Sequence, residues 1–142
     1  MSQFQIQFVP SLPDVSKTEA AIVPDEVEWG KVQAALSEEF DTRYLIGDTL
    51  VAYYPTAITT VFSDLYAEWE MFRVREPHVM RLCGYPVLDV SFLDEKTYFF
   101  HGHELSLGDA RKPIVGDYDA GDVERAFKAA LDRVWSVIRA VS

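Results

Sequence analysis

Sulfur and positive charge are scarce in this chain. Cys83 is the only cysteine in 142 residues, so neither an intramolecular disulfide nor a cysteine-based zinc site can form. Thirteen Lys and Arg stand against 23 Asp and Glu, giving a net charge of −10. Phosphate contacts need clustered cations, so this balance excludes a nucleic-acid-binding module. No apolar run approaches the ~18 residues of a membrane span, and no membrane association is expected. The opening MSQFQIQFVP lacks the basic region and long apolar stretch of a signal peptide. It reads as the start of the folded domain, and a cytoplasmic location is the expectation. Gly84, Gly102, Gly108, Gly116 and Gly121 are scattered, and none opens a helix with nucleotide-binding spacing. No cofactor is called for.

What is present suffices for one core. Hydrophobic residues make up 49% of the chain, with 9 Phe, 7 Tyr and 3 Trp, enough for a single packed domain over 1–142. The charge is unevenly spread. Met1 to Phe72 holds 12 acidic and 3 basic residues, and Arg73 to Ser142 holds 11 and 10, for net charges of −9 and −1. The C-terminal stretch Arg125 to Ser142 is locally basic, with 4 cations and 1 acid. Such a distribution predicts a dipolar molecule that attracts basic partners and repels nucleic acid and anionic lipid.

Periodicity orders the elements. Gln3 to Val9 alternates Phe4, Ile6 and Phe8 with glutamines, the pattern of a half-buried antiparallel strand. Pro10 and Pro13 close it, and Ser11 to Ala20 reads as a surface connection. Asp25 is a candidate cap for a first helix carrying Val27, Val32, Ala35, Leu36 and Phe40 on one side. Arg43 to Ile46 and Thr49 to Tyr54 flank Gly47-Asp48, a hairpin signal. Ala57 to Val74 has helical spacing at Ile58, Val61, Phe62, Leu65, Trp69 and Phe72, although the β-branched run Ile58 to Val61 also suits a strand. Pro77 is expected to stop that helix. Tyr85 to Leu93 and Thr97 to Gly102 form a second hairpin around Asp94-Glu95-Lys96. Leu105 to Tyr118, with Gly108, Pro113 and Gly116, reads as irregular. A last helix, capped by Asp119 or Asp122, carries Val123, Phe127, Ala130, Leu131, Val134, Ile138 and Val141. The expectation is α+β, with one antiparallel sheet of about five strands and three helices, in the order β-α-β-β-α-β-β-α.

Three groups of residues could carry chemistry. His101 and His103, spaced to share one strand face, are candidate metal ligands with Glu104 or a distant carboxylate as the third. The bland reading is a strand leaving the core, its imidazoles solvated or hydrogen-bonded. Cys83 near His78 and Arg81 could be an activated thiol, but a lone cysteine is more often a small buried hydrophobe. Asp48, Asp64 and Asp89 could pair as catalytic carboxylates, which among 23 acids carries little weight. The segment Trp69-Glu70-Met71-Phe72-Arg73 is dense in residue types enriched at interface centres. Its plain alternative is a core-facing Trp69 and Phe72 with a charged helix surface.

The stretch from Trp69 to His103, with MRLCGYPVLDV inside it, resembles immunity proteins paired with nuclease toxins of bacterial competition systems. The chain is also similar to them in size and acidity. The resemblance implies a non-enzymatic inhibitor that docks an acidic face on a basic toxin domain and occludes its active site. The residues expected to bind the partner are Glu38, Glu39, Asp41, Asp48, Asp64, Glu68, Trp69 and Glu70. The order of elements from Asp25 onward also resembles acidic type III secretion chaperones, apart from the extra first strand. A small metal-dependent enzyme using His101 and His103 is the third reading. Self-association is compatible with all three.

Overall fold

The structure, a computed structural model, describes residues 3–9, 28, 30, 31, 34, 39–82, 84–103 and 115–141. The glutamine-spaced segment forms β1 (Phe4–Val9). The Gly47-Asp48 signal gives the hairpin of β2 (Glu39–Ile46) and β3 (Thr49–Ala57). Gly47, at φ 61°, takes the first corner of the two-residue turn, where a type II′ geometry needs a positive φ. β1 pairs antiparallel with β2, which pairs antiparallel with β3.

Phe40 corrects the expected first helix. It belongs to β2, opposite Thr56, and is 5% exposed. Phe40, Thr42, Tyr44 and Ile46 all face inward, a period of two whose first member also falls four residues after Leu36. Gly30, Lys31 and Ala34 are helical. Asp25, Val27, Val32, Ala35 and Leu36 lie outside the described residues.

α1 spans Ile58–Val74. Burial overrides the strand preference of its β-branched start, because Ile58, Val61, Phe62, Leu65 and Phe72 form one stripe that is at most 1% exposed. The helix ends before Pro77, at Arg75, whose φ of 56° and ψ of 46° are left-handed. A non-glycine residue in that conformation costs roughly 1–2 kcal/mol. Contacts of the guanidinium offset it: Arg75 donates to the Glu95 carbonyl and pairs with Glu124 at 3.3 Å.

A second antiparallel sheet follows, with strand order β4 (His78–Leu82), β5 (Tyr85–Asp94), β6 (Thr97–Gly102) and β7 (Val115–Asp119). The β5–β6 hairpin matches the sequence reading, with Leu88 and Val90 buried and Asp89 exposed between them. β4 is an additional strand. Of the stretch Leu105 to Tyr118, read as irregular, residues 105–114 lie outside the described residues, and β7 corrects the rest from Val115. Its VGDYD sequence has weak strand propensity, and pairing with β6 along its length supplies the order. Among the described residues seven strands form two sheets and two helices are described along their length, besides the helical Gly30, Lys31 and Ala34, where the sequence predicts one sheet of about five strands and three helices. The α+β class with antiparallel sheets stands.

α2 (Ala120–Val141) closes the described chain. Asp119 caps it, its carboxylate accepting the Asp122 N–H at 2.9 Å. Val123, Phe127, Leu131, Val134 and Ile138 are all at most 1% exposed. Neither described helix is long and apolar enough to cross a membrane.

One buried cluster draws on both sheets and both helices. Phe72 lies at its centre, with ring centroids 4.9 Å from His78, 5.2 Å from Tyr98, 6.4 Å from Phe100 and 4.9 Å from Phe127. Truncating it removes contacts to β4, β6 and α2 at once. Phe72→Ala is expected to lower unfolding stability by about 3–5 kcal/mol, measured by urea denaturation. A loss below about 1 kcal/mol would contradict this central place.

Candidate functional site

The expected partner-binding residues do not form one surface. Along β2, Glu39 and Asp41 share the solvent face with Arg43. Asp48 sits in the β2–β3 turn, seven residues and about 23 Å of extended chain from Asp41. Asp64 and Glu68 project from α1 towards buried Tyr44. Burial, then the charges of Asp64 and Glu68, push the Tyr44 pKa far above the ordinary phenol value. Glu68 is only 6% exposed, which removes it from any contact face. Trp69 is half-buried against the core, with the Arg73 guanidinium 5.9 Å from its ring centroid. Glu70 pairs with Arg73 at 3.0 Å. The segment around Trp69 thus satisfies its own charges. Glu38 lies outside the described residues.

Two of the eight, Glu39 and Asp41, remain together, joined by a residue the sequence reading missed. Tyr53 on β3 stands opposite Arg43 and is 37% exposed. Its hydroxyl donates to the Asp41 carboxylate, which, with partial burial, raises its pKa above the ordinary value. Diagonal neighbours across an antiparallel pair are within reach of an aromatic side chain. The only available signal was the outward register of Tyr53 in the strand predicted from Thr49 to Tyr54.

The two histidines do share a face, and Asp89 joins them there. Asp89 on β5 lies opposite His101 on β6. Its Oδ1 is 2.8 Å from His103 Nε2 and its Oδ2 is 4.0 Å from His101 Nδ1. The His103 N–H donates to the Val87 carbonyl at 2.9 Å, continuing the ladder beyond Gly102. The carboxylate thus orients the His103 imidazole on an open sheet surface. Glu104 and Cys83 lie outside the described residues. Among the described residues, no group of three or more His, Cys, Asp or Glu could hold a metal ion. Nor do Asp48, Asp64 and Asp89, on the β2–β3 turn, α1 and β5, form such a group.

The sequence reading also missed an internal pair. Glu68 accepts the Arg81 backbone N–H at 3.1 Å through Oε1, and its Oε2 lies 3.7 Å from His78 Nε2. His78 Nδ1 donates to the Glu76 carbonyl at 2.9 Å. A neutral imidazole would therefore turn the Nε2 lone pair towards a carboxylate oxygen, and a proton on Nε2 removes that repulsion. Burial alone lowers the His78 pKa, but Glu68 and the Glu76 carbonyl outweigh it, and the net shift is upward.

A raised folded pKa means that this pair stabilises the fold fully below the unfolded value of 6.5. The contribution disappears as pH rises through the folded value. Between about pH 5.5 and 8.5, wild type should therefore lose more thermal stability than Glu68→Gln, whose amide can donate to neutral Nε2. Equal losses in the two proteins would contradict the pairing. Asp89, by contrast, is half-exposed, and Asp89→Ala is expected to change unfolding stability by less than about 1 kcal/mol in urea. Comparisons with protein-family models, curated proteins and solved structures find no match to this chain.

Proposed function

We propose that this chain is a non-enzymatic protein-binding inhibitor, an immunity protein that docks on a basic toxin domain and blocks its active site. The observation that carries this reading is the patch of Glu39, Asp41 and Tyr53 on the solvent face of the first sheet. Tyrosine offers a rigid apolar ring with a polar tip and is enriched at interface centres. Here that ring stands beside two carboxylates with Arg43 opposite it on the same face, a group of net negative charge suited to a surface rich in Lys and Arg.

The internal ion pairs support the same choice. Arg73, Arg75 and Arg125 are each engaged by a carboxylate of their own neighbourhood, Glu70, Glu124 and Asp122 respectively. These cations therefore do not neutralise the first sheet. The net charge of −10 would draw a basic domain in by long-range attraction, and docking would then exclude substrate from the cleft beneath.

The reading requires a basic toxin domain encoded beside this chain. With that domain as ligand, the double variant Glu39→Lys and Asp41→Lys should slow association about tenfold at low salt, with a flatter salt dependence. Tyr53→Ala should instead accelerate dissociation, by about tenfold. Association rates that ignore both the charge reversal and the salt would sink the proposal.

A further inference from the structure

We propose that β1 is the pairing edge for a second copy of this chain, giving a two-fold dimer with one continuous sheet across the interface. β1 is the edge of the first sheet, and among the described residues no strand pairs with its other side. The Gly47 N–H donates to the Gln3 carbonyl at 2.8 Å, which directs the backbone groups of Gln3, Gln5, Gln7 and Val9 towards β2. Alternation then turns the N–H and C=O of Phe4, Ile6 and Phe8 to the open side.

That side has room for a strand. An open groove of about 720 Å³ runs between β1, from Phe4 to Phe8, and the α2 residues Ala126, Ala129, Ala130 and Arg133. Alanines keep its floor low, and Ile6 and Phe8 are left half-exposed beside it. Natural edges are commonly protected by Lys, Pro or inward charge. FQIQFV has none of these.

Self-complementarity identifies the occupant. An antiparallel partner strand with the two-fold axis at Ile6 sets Ile6 opposite itself and Phe4 opposite Phe8. All three open-side residues then exchange N–H and C=O with their counterparts, about six hydrogen bonds in total. On the other face Gln5 meets Gln7, amide against amide. No like charges face each other at any cross-strand position. Charge selects the same surface. Two chains of net −10 repel, so contact is least opposed where carboxylates are absent. β1 has no charged residue, and among the described residues lining the groove Arg133 is the only charged one.

Sedimentation equilibrium of the full chain tests this. The expected result is a species of twice 16.2 kDa at about 100 µM. It should tighten severalfold between roughly 50 and 500 mM NaCl, because salt screens the mutual repulsion. Toxin binding should weaken over the same range, so the two proposals can fail separately. In the dimer, the amides of Phe4, Ile6 and Phe8 should exchange with solvent about tenfold more slowly than in dilute protein. Those of Gln5 and Gln7, already directed to β2, should not change. Ala129 is exposed on α2, so Ala129→Arg should keep the helical circular dichroism while blocking close approach and leaving a monomer. A chain that stays at 16.2 kDa throughout, with or without a foreign peptide in the groove, overturns the proposal. So does a dimer whose Phe4, Ile6 and Phe8 amides exchange freely, or an Ala129→Arg protein that dimerises as tightly as wild type.

Discussion

The fold depends on a group of packed aromatic rings that join two sheets sharing no strand. Phe4 of β1 reaches Phe100 of β6 at 5.9 Å and stacks on Phe127 of α2 at 5.5 Å. Phe72 of α1 meets Phe100 and Phe127 from the other side. Backbone hydrogen bonds hold each sheet internally, but burial of these rings is what brings the sheets and helices together. Polar groups at the rim reinforce the same junction. The Tyr98 hydroxyl lies 3.2 Å from both the Phe72 carbonyl and the Glu124 carboxylate. Burial, together with Glu124, raises its pKa.

This packing rearranges the charges implied by the linear sequence. The basic stretch from Arg125 onward lies on α2, and α2 packs beside β1, the first strand of the acidic half. Four of the described carboxylates of the acidic half have three different fates. Glu68 is turned inward against Arg81 and His78, Glu70 is neutralised by Arg73, and Glu39 and Asp41 face solvent with Tyr53. Of these four, Glu39 and Asp41 suit long-range recognition of a basic surface.

The two faces of the first sheet region thus present different chemistry. Two carboxylates, Arg43 and a tyrosine project from the solvent face of β2 and β3, whereas the open edge of β1 presents backbone groups and apolar side chains over alanines. An interaction at the former is governed by charge and weakened by salt. One at the latter is governed by strand pairing and apolar burial, and for two acidic chains it is helped by salt.

Local periodicity in the sequence determined β1, the β2–β3 and β5–β6 hairpins, the later turns of α1, and α2, while the structure chose Asp119 over Asp122 as the cap of α2. In each, one buried face repeats at two or 3.6 residues and a turn or cap residue marks an end. It also placed His101 and His103 on one face. Tertiary structure decided the rest. Phe40 fits a helical and an alternating pattern equally well, and only pairing with Thr56 makes it a strand residue. β7 has little propensity of its own and is ordered along β6. The division into two sheets depends on which strand edges meet, and no residue pattern within a strand encodes that. The inward turn of Glu68 and the joining of Asp89 to His103 likewise arise between elements distant in the chain, because a side chain's partners are set by packing and its periodicity sets only its face.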